Sequence, residues 1–167
     1  MNISEANYLQ AREFIYNDVQ RELDLARISE SPDDKAALVN LGVTPGGGNF
    51  LAAVGLLCYT EFAGGLITGK SKGFGQRNFE TFFRAMGTAY ETLLDGGLDV
   101  YDLFRCGMAH EYFAKGHITV AIRGDFATGL GEHSGQLYFL VENYFNDFKK
   151  AFDKIGYDAG HLTSEAL

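Results

Sequence analysis

The sequence predicts an all-α protein: an antiparallel up-and-down bundle of four to five helices, with one β-hairpin inserted after the fourth. Three observations carry this expectation. Apolar residues recur at steps of three and four along most of the chain. Of the 21 glycines, most cluster at 46–48, 64–65, 69–75, 96–97 and 129–135, where they punctuate those runs. Apolar alternation is confined to two short stretches, 118–123 and 137–141. A length of 167 residues suits one domain, 1–167. A composition 46% hydrophobic and 14% aromatic offers enough apolar surface to offset the entropy of ordering, which excludes disorder and coiled coil.

Ser4 can cap a long first helix within residues 1–30, in which Tyr8, Ala11, Ile15, Val19, Leu23 and Ala26 form one apolar stripe. Ser31-Pro32 breaks it, and a short helical piece is expected around Lys35–Leu41. The bundle core is expected over 50–155. Its second helix, Phe50 to about Ile67, is apolar on nearly every side and belongs at the centre. A third helix is expected from Arg77 to Leu94, with Phe79, Phe82, Phe83, Met86, Tyr90 and Leu93 facing inward and Gly96-Gly97 ending it. A fourth is expected over about Leu98–Ala114, closed by Lys115 and Gly116. The alternating stretches then read as a hairpin over 117–141, with residues 124–134 as a mobile connecting loop. Val141, Tyr144, Phe145, Phe148, Phe152 and Ile155 mark the last helix.

The 14 Lys+Arg against 22 Asp+Glu leave a net charge of −8, so a nucleic-acid contact needs a local basic patch. The segment Gly69–Arg77 is such a patch, because Lys70, Lys72 and Arg77 stand there without an acid. Only Cys58 and Cys106 are present, which suggests free thiols in a reducing compartment. The start lacks a signal-peptide profile and no charge-free apolar stretch has the roughly 18 residues needed to span a bilayer, so a cytoplasmic protein without a membrane partner is expected. His117, His133 and His161 share no metal-ligand spacing, so no metal or other cofactor is expected.

The fourth helix carries Arg105, His110 and Tyr112 in the spacing R-x-x-x-x-H-x-Y. This motif resembles the signature of the HEPN superfamily, helical domains many of which are metal-independent endoribonucleases of toxin–antitoxin and phage-defence systems. The resemblance implies that Arg105 and His110 are catalytic, and that Tyr112 is open to modification by a partner nucleotidyltransferase. It also implies a homodimer, an RNA substrate and, in a toxin, an antitoxin partner. Asp102, Cys106 and Glu111 are the supporting polar residues, and Lys70, Lys72, Arg77 and Lys115 are the candidate RNA contacts. Cys106 stands where the superfamily often has a polar residue. The alternative is a non-catalytic module of the same type that binds a nucleotide or a protein.

The chemistry suits these residue types. Cleavage by the RNA 2′-OH needs a base, an acid and a cation for the charge that develops on phosphorus, roles that His and Arg fill. On one ideal helix, however, Arg105 and His110 point roughly 140° apart, so two copies of the helix would have to meet across a symmetric dimer. A simpler role for Arg105 is an ion pair with Asp102, three residues back. His110 would then be only a helix-end histidine and Tyr112 a core aromatic with a wet tip.

Overall fold

The chain begins with a helix whose cap is visible in the sequence: Ser4 accepts a hydrogen bond from the Asn7 N–H, and α1 runs Glu5–Ile28. It buries Tyr8, Ile15, Val19 and Leu23. The computed structural model describes residues 3–70, 72–111, 118–126 and 128–165, with side chains for all but 111 and 157–165. Ser31 caps α2 (Pro32–Asn40), which has Pro in its first turn and buries none of its residues. Helix α3 (Asn49–Thr68) ends at Gly69 in the left-handed conformation and is buried through Ala52, Ala53, Leu56, Leu57, Thr60 and Ala63. By length and composition α3 is apolar enough to cross a membrane, although it carries the charge of Glu61 and 44% of its most apolar window is buried inside the protein. It packs against α4, α1 and α7, helices that all feed the shared core.

The helix expected over 77–94 is two helices, α4 (Gly75–Ala85) and α5 (Thr88–Asp95). Gly87 separates them at φ 137°, a conformation that L side chains rarely adopt. The fourth helix is also divided. Tyr101–Cys106 is a π turn, in which the Gly107 N–H reaches back five residues to the Asp102 carbonyl, and α6 (Gly107–Glu111) follows it. Residues 112–117 lie outside the described residues.

The simple bundle with a two-stranded hairpin does not hold. Among the described residues there are seven α-helices, the π turn and a three-stranded mixed sheet: β1 (Ile118–Ala121), β2 (Leu130–His133) and β3 (Gln136–Leu140), in the order β1-β3-β2. The two stretches expected to form the hairpin pair parallel, Val120 opposite Phe139. Parallel neighbours cannot be joined by a tight turn, and the chain between them supplies β2, antiparallel to β3. The hairpin is β2–β3. Its two-residue turn is Ser134-Gly135, both at positive φ (53° and 77°), as a type I′ turn requires.

Helix α7 (Val141–Glu165) continues directly from β3. Its Tyr144, Phe145, Phe148 and Phe152 are buried among Phe79, Phe82, Phe83, Tyr90, Phe104 and Phe139. Ring pairs such as Phe82–Phe148 and Phe83–Tyr90, both with centroids 5.0 Å apart, build the centre. Each such ring contributes about 1.5–3 kcal/mol through burial. Polar atoms in this core are paired: Tyr90 donates to Asp147, receives the Gly129 N–H, and lies near the Thr60–Tyr144 hydroxyl pair.

Candidate functional site

Glu61 is the one charged residue in the apolar helix α3, and a carboxylate in such a setting needs a partner. The partner is Arg105 on the π turn, whose Nε donates to Glu61 at 2.8 Å, with both side chains about three-quarters or more buried (19% and 26% exposed). This corrects the simpler expectation for Arg105: its partner is Glu61 rather than Asp102. The Asp102 N–H donates to Asp99, which caps the turn.

Around this pair the π turn gathers further groups. A five-residue turn places Tyr101 against Cys106, and burial, with the Glu61 charge adding to it, pushes the Tyr101 phenol up. Cys58 lies one turn before Glu61 on α3; burial pushes its thiol up, the Arg105 cation opposes that, and Glu61 adds to it. Burial disfavours the Arg105 cation, yet the neighbouring Cys58 and Glu61 outweigh this and hold its pKa above the ordinary value.

Helix α4 starts against this cluster. A Cβ at Gly75 would stand 2.7 Å from the Tyr101 hydroxyl and 3.0 Å from Glu61 Oε1, so only glycine lets the helix end approach so closely. The carboxylate thus faces both Arg105 and the positive end of the α4 dipole. The cationic segment Gly69–Arg77 thereby ends on the Arg105 cluster. Lys70, Lys72 and Arg77 are exposed along it. Lys70 Nζ rests over the Phe74 ring, 4.7 Å from its centroid, and Asn78 holds the Lys70 carbonyl at 2.9 Å.

The structure joins some sequence candidates and separates others. Arg105 and Cys106 share the π turn, whereas His110 stands exposed in the last turn of α6 and makes no described contact with Arg105. Asp102 lies on the same turn and Glu111 ends α6. Tyr112 and Lys115 lie outside the described residues. Glu61, Tyr101 and Cys58 are the site residues that the motif did not include. Among the described residues, no three or more His, Cys, Asp or Glu side chains gather as a metal site, and Cys58 and Cys106 are free.

Chemically, the cluster orients a cation. Glu61 fixes the guanidinium through Nε and leaves its two terminal nitrogens out of that bond. A guanidinium presented in this way can grip two oxygens of a phosphate. Comparison with protein-family models, with curated proteins and with solved structures gives no match.

Proposed function

We propose that the chain is a HEPN-like, metal-independent endoribonuclease that acts through the RNA 2′-OH as a homodimer in the reducing cytoplasm. One observation carries the reading: in a chain of net charge −8, the loop bearing Lys70, Lys72 and Arg77 ends on the cluster that orients Arg105. Lys70, Lys72 and Arg77 are exposed, and α6, which bears His110, follows directly on the π turn of Arg105.

In the proposed step, His110 of one protomer removes the 2′-OH proton and the 2′-oxygen attacks phosphorus. The P–O5′ bond breaks, the leaving O5′ takes a proton from the second His110, and Arg105 stabilises the charge on the phosphoryl oxygens. Pairing two copies across the dimer would bring Arg105 and His110, which make no described contact within one chain, to one phosphate.

The test is cleavage of a mixed RNA pool with EDTA present, with the dimer verified by sedimentation. Wild type should leave 2′,3′-cyclic phosphate ends, His110→Ala should lose roughly 10²–10⁴-fold, and Arg105→Ala a comparable amount. Lys70→Ala and Lys72→Ala should mainly flatten the salt dependence of binding. Equal cleavage by wild type and His110→Ala refutes the reading. No cleavage by a verified dimer leaves the non-catalytic binding module.

A further inference from the structure

The outer face of the sheet carries a feature that the Arg105 site does not use. Strand register places Thr119, Tyr138 and Gly131 side by side, with Gln136 and His133 next to them, while Phe139 and Leu130 on the opposite face are fully buried. A Cβ at Gly131 would lie 2.6 Å from the Tyr138 hydroxyl and 2.9–3.1 Å from its ring carbons, so the phenol lies across β2 where no side chain intervenes. Phe126, from the connection before β2, stacks on this phenol with centroids 4.3 Å apart and planes within 18°. His133 stands 5.1 Å from Phe126 at 45°. Two hydrogen bonds fix the stack: Asn143 to the Phe126 carbonyl at 2.7 Å, and Thr128 with the Tyr138 hydroxyl at 2.9 Å.

One face of Phe126 is therefore covered by Tyr138 while the residue as a whole stays 37% exposed, with His133, Gln136 and Thr119 also exposed. A ring held in place with more than a third of its residue open to solvent can serve as a stacking surface. The exposed residues on this face are polar rather than aliphatic, which gives an apolar peptide little to bury. They do offer the imidazole, amide and hydroxyl groups that hydrogen-bond base edges. Asp125 and Glu132 are exposed close by and repel phosphate, so stacking rather than charge must provide the affinity.

We propose that this face is a base-stacking platform for single-stranded RNA, with Phe126 as the stacking ring, Tyr138 as its support and His133 beside it. Only the choice of polymer rests on the ribonuclease reading, because stacking needs no cleavage. The probe is a short 2′-O-methyl oligoadenylate, which has no free 2′-OH and cannot be cut. At salt high enough to screen the Lys70 and Lys72 contacts wild type should still bind it, and Phe126→Leu, shown folded by circular dichroism, should then weaken binding roughly 5- to 150-fold. Phe126→Trp should retain affinity and, in a chain with no native Trp, report binding by fluorescence quenching.

Unchanged affinity in Phe126→Leu, or quenching of the introduced indole by free AMP as tightly as by the oligomer, overturns the platform. Absence of binding by wild type also overturns it. Loss of cleavage with the oligomer still bound by way of Phe126 refutes the ribonuclease reading and leaves the platform standing.

Discussion

Two arginine–carboxylate–tyrosine clusters tie this molecule together, and they differ in depth. Between α1 and α7, Arg12 Nε donates to Asp153 at 2.6 Å, the Tyr16 hydroxyl donates to the same oxygen at 2.9 Å, and the guanidinium lies over the Tyr16 ring. Its charged side chains are 39% and 47% exposed, so water screens the pair and its net contribution is about 0–1 kcal/mol. Between α3 and the π turn, Arg105, Glu61 and Tyr101 repeat the same chemistry at about half that exposure, beside Cys58 and Cys106. There, desolvation makes each charge depend on its neighbour. The same residue types thus serve as a solvated tie in one place and an oriented, mostly buried cation in the other.

The largest break in this comparison is expected from Gly64→Ala. A Cβ at Gly64 would overlap the Asn78 backbone of α4, which cannot swing aside as a side chain can. The cost should be about 3 kcal/mol or more, read as a lower urea midpoint at unchanged slope. Because α4 starts against Glu61, the variant should also disturb the Arg105 Nε–H resonance while leaving that of Arg12 in place. A midpoint within experimental error of wild type contradicts the close α3–α4 approach.

A direct comparison comes next. Glu61→Gln removes a carboxylate from a mostly buried cation and should cost about 1–3 kcal/mol, whereas Asp153→Asn should cost about 0.5 kcal/mol. Urea unfolding of both variants measures the gap, and equal costs would show that depth does not separate the clusters.

Burial also sets thiol reactivity. Cys58 should be alkylated by iodoacetamide at pH 7 more slowly than free cysteine, because burial holds its thiol protonated. Arg105→Gln removes the opposing cation and should slow it further, as mass spectrometry of the labelled peptide would record. Faster labelling in that variant contradicts the assigned role of the guanidinium.

The sequence reveals these elements unevenly. Periodicity locates both ends of α1 and α3 and the start of α7 within a few residues because each buries a continuous stripe, but it stops α7 at Ile155, ten residues short of Glu165. It misses the break at Gly87, because the apolar face of α4 resumes in α5 and masks the turn. It mispairs the strands because β2 has a single buried apolar side chain, Leu130, and the space beside it is filled by Tyr138 from the next strand. The Ser134-Gly135 dipeptide was the legible signal for the true hairpin. Of the site, Arg105 is visible through the motif, while Glu61 was discoverable only as the lone charge in an apolar helix. Its pairing spans 44 positions, which no local pattern encodes.

The smallest expected effect is the pH dependence of the solvated cluster. Burial alone would raise the Asp153 pKa, but the hydrogen bonds from Arg12 and Tyr16 and the nearby cations outweigh it and hold the carboxyl below its usual range. A carboxyl whose pKa is lower folded than unfolded stabilises the fold above the unfolded value, about 3.9, and loses that contribution as pH falls through the folded value. The gap of about 0.5 kcal/mol between wild type and Asp153→Asn should therefore be constant from pH 7 to about 5 and close below about pH 4. Raised salt should narrow it at neutral pH, since both partners are exposed. Unfolding of both proteins in urea across that range, with the Asp153 carboxyl followed by NMR, measures the effect. A gap that widens toward acid would reverse the sign assigned to this pair.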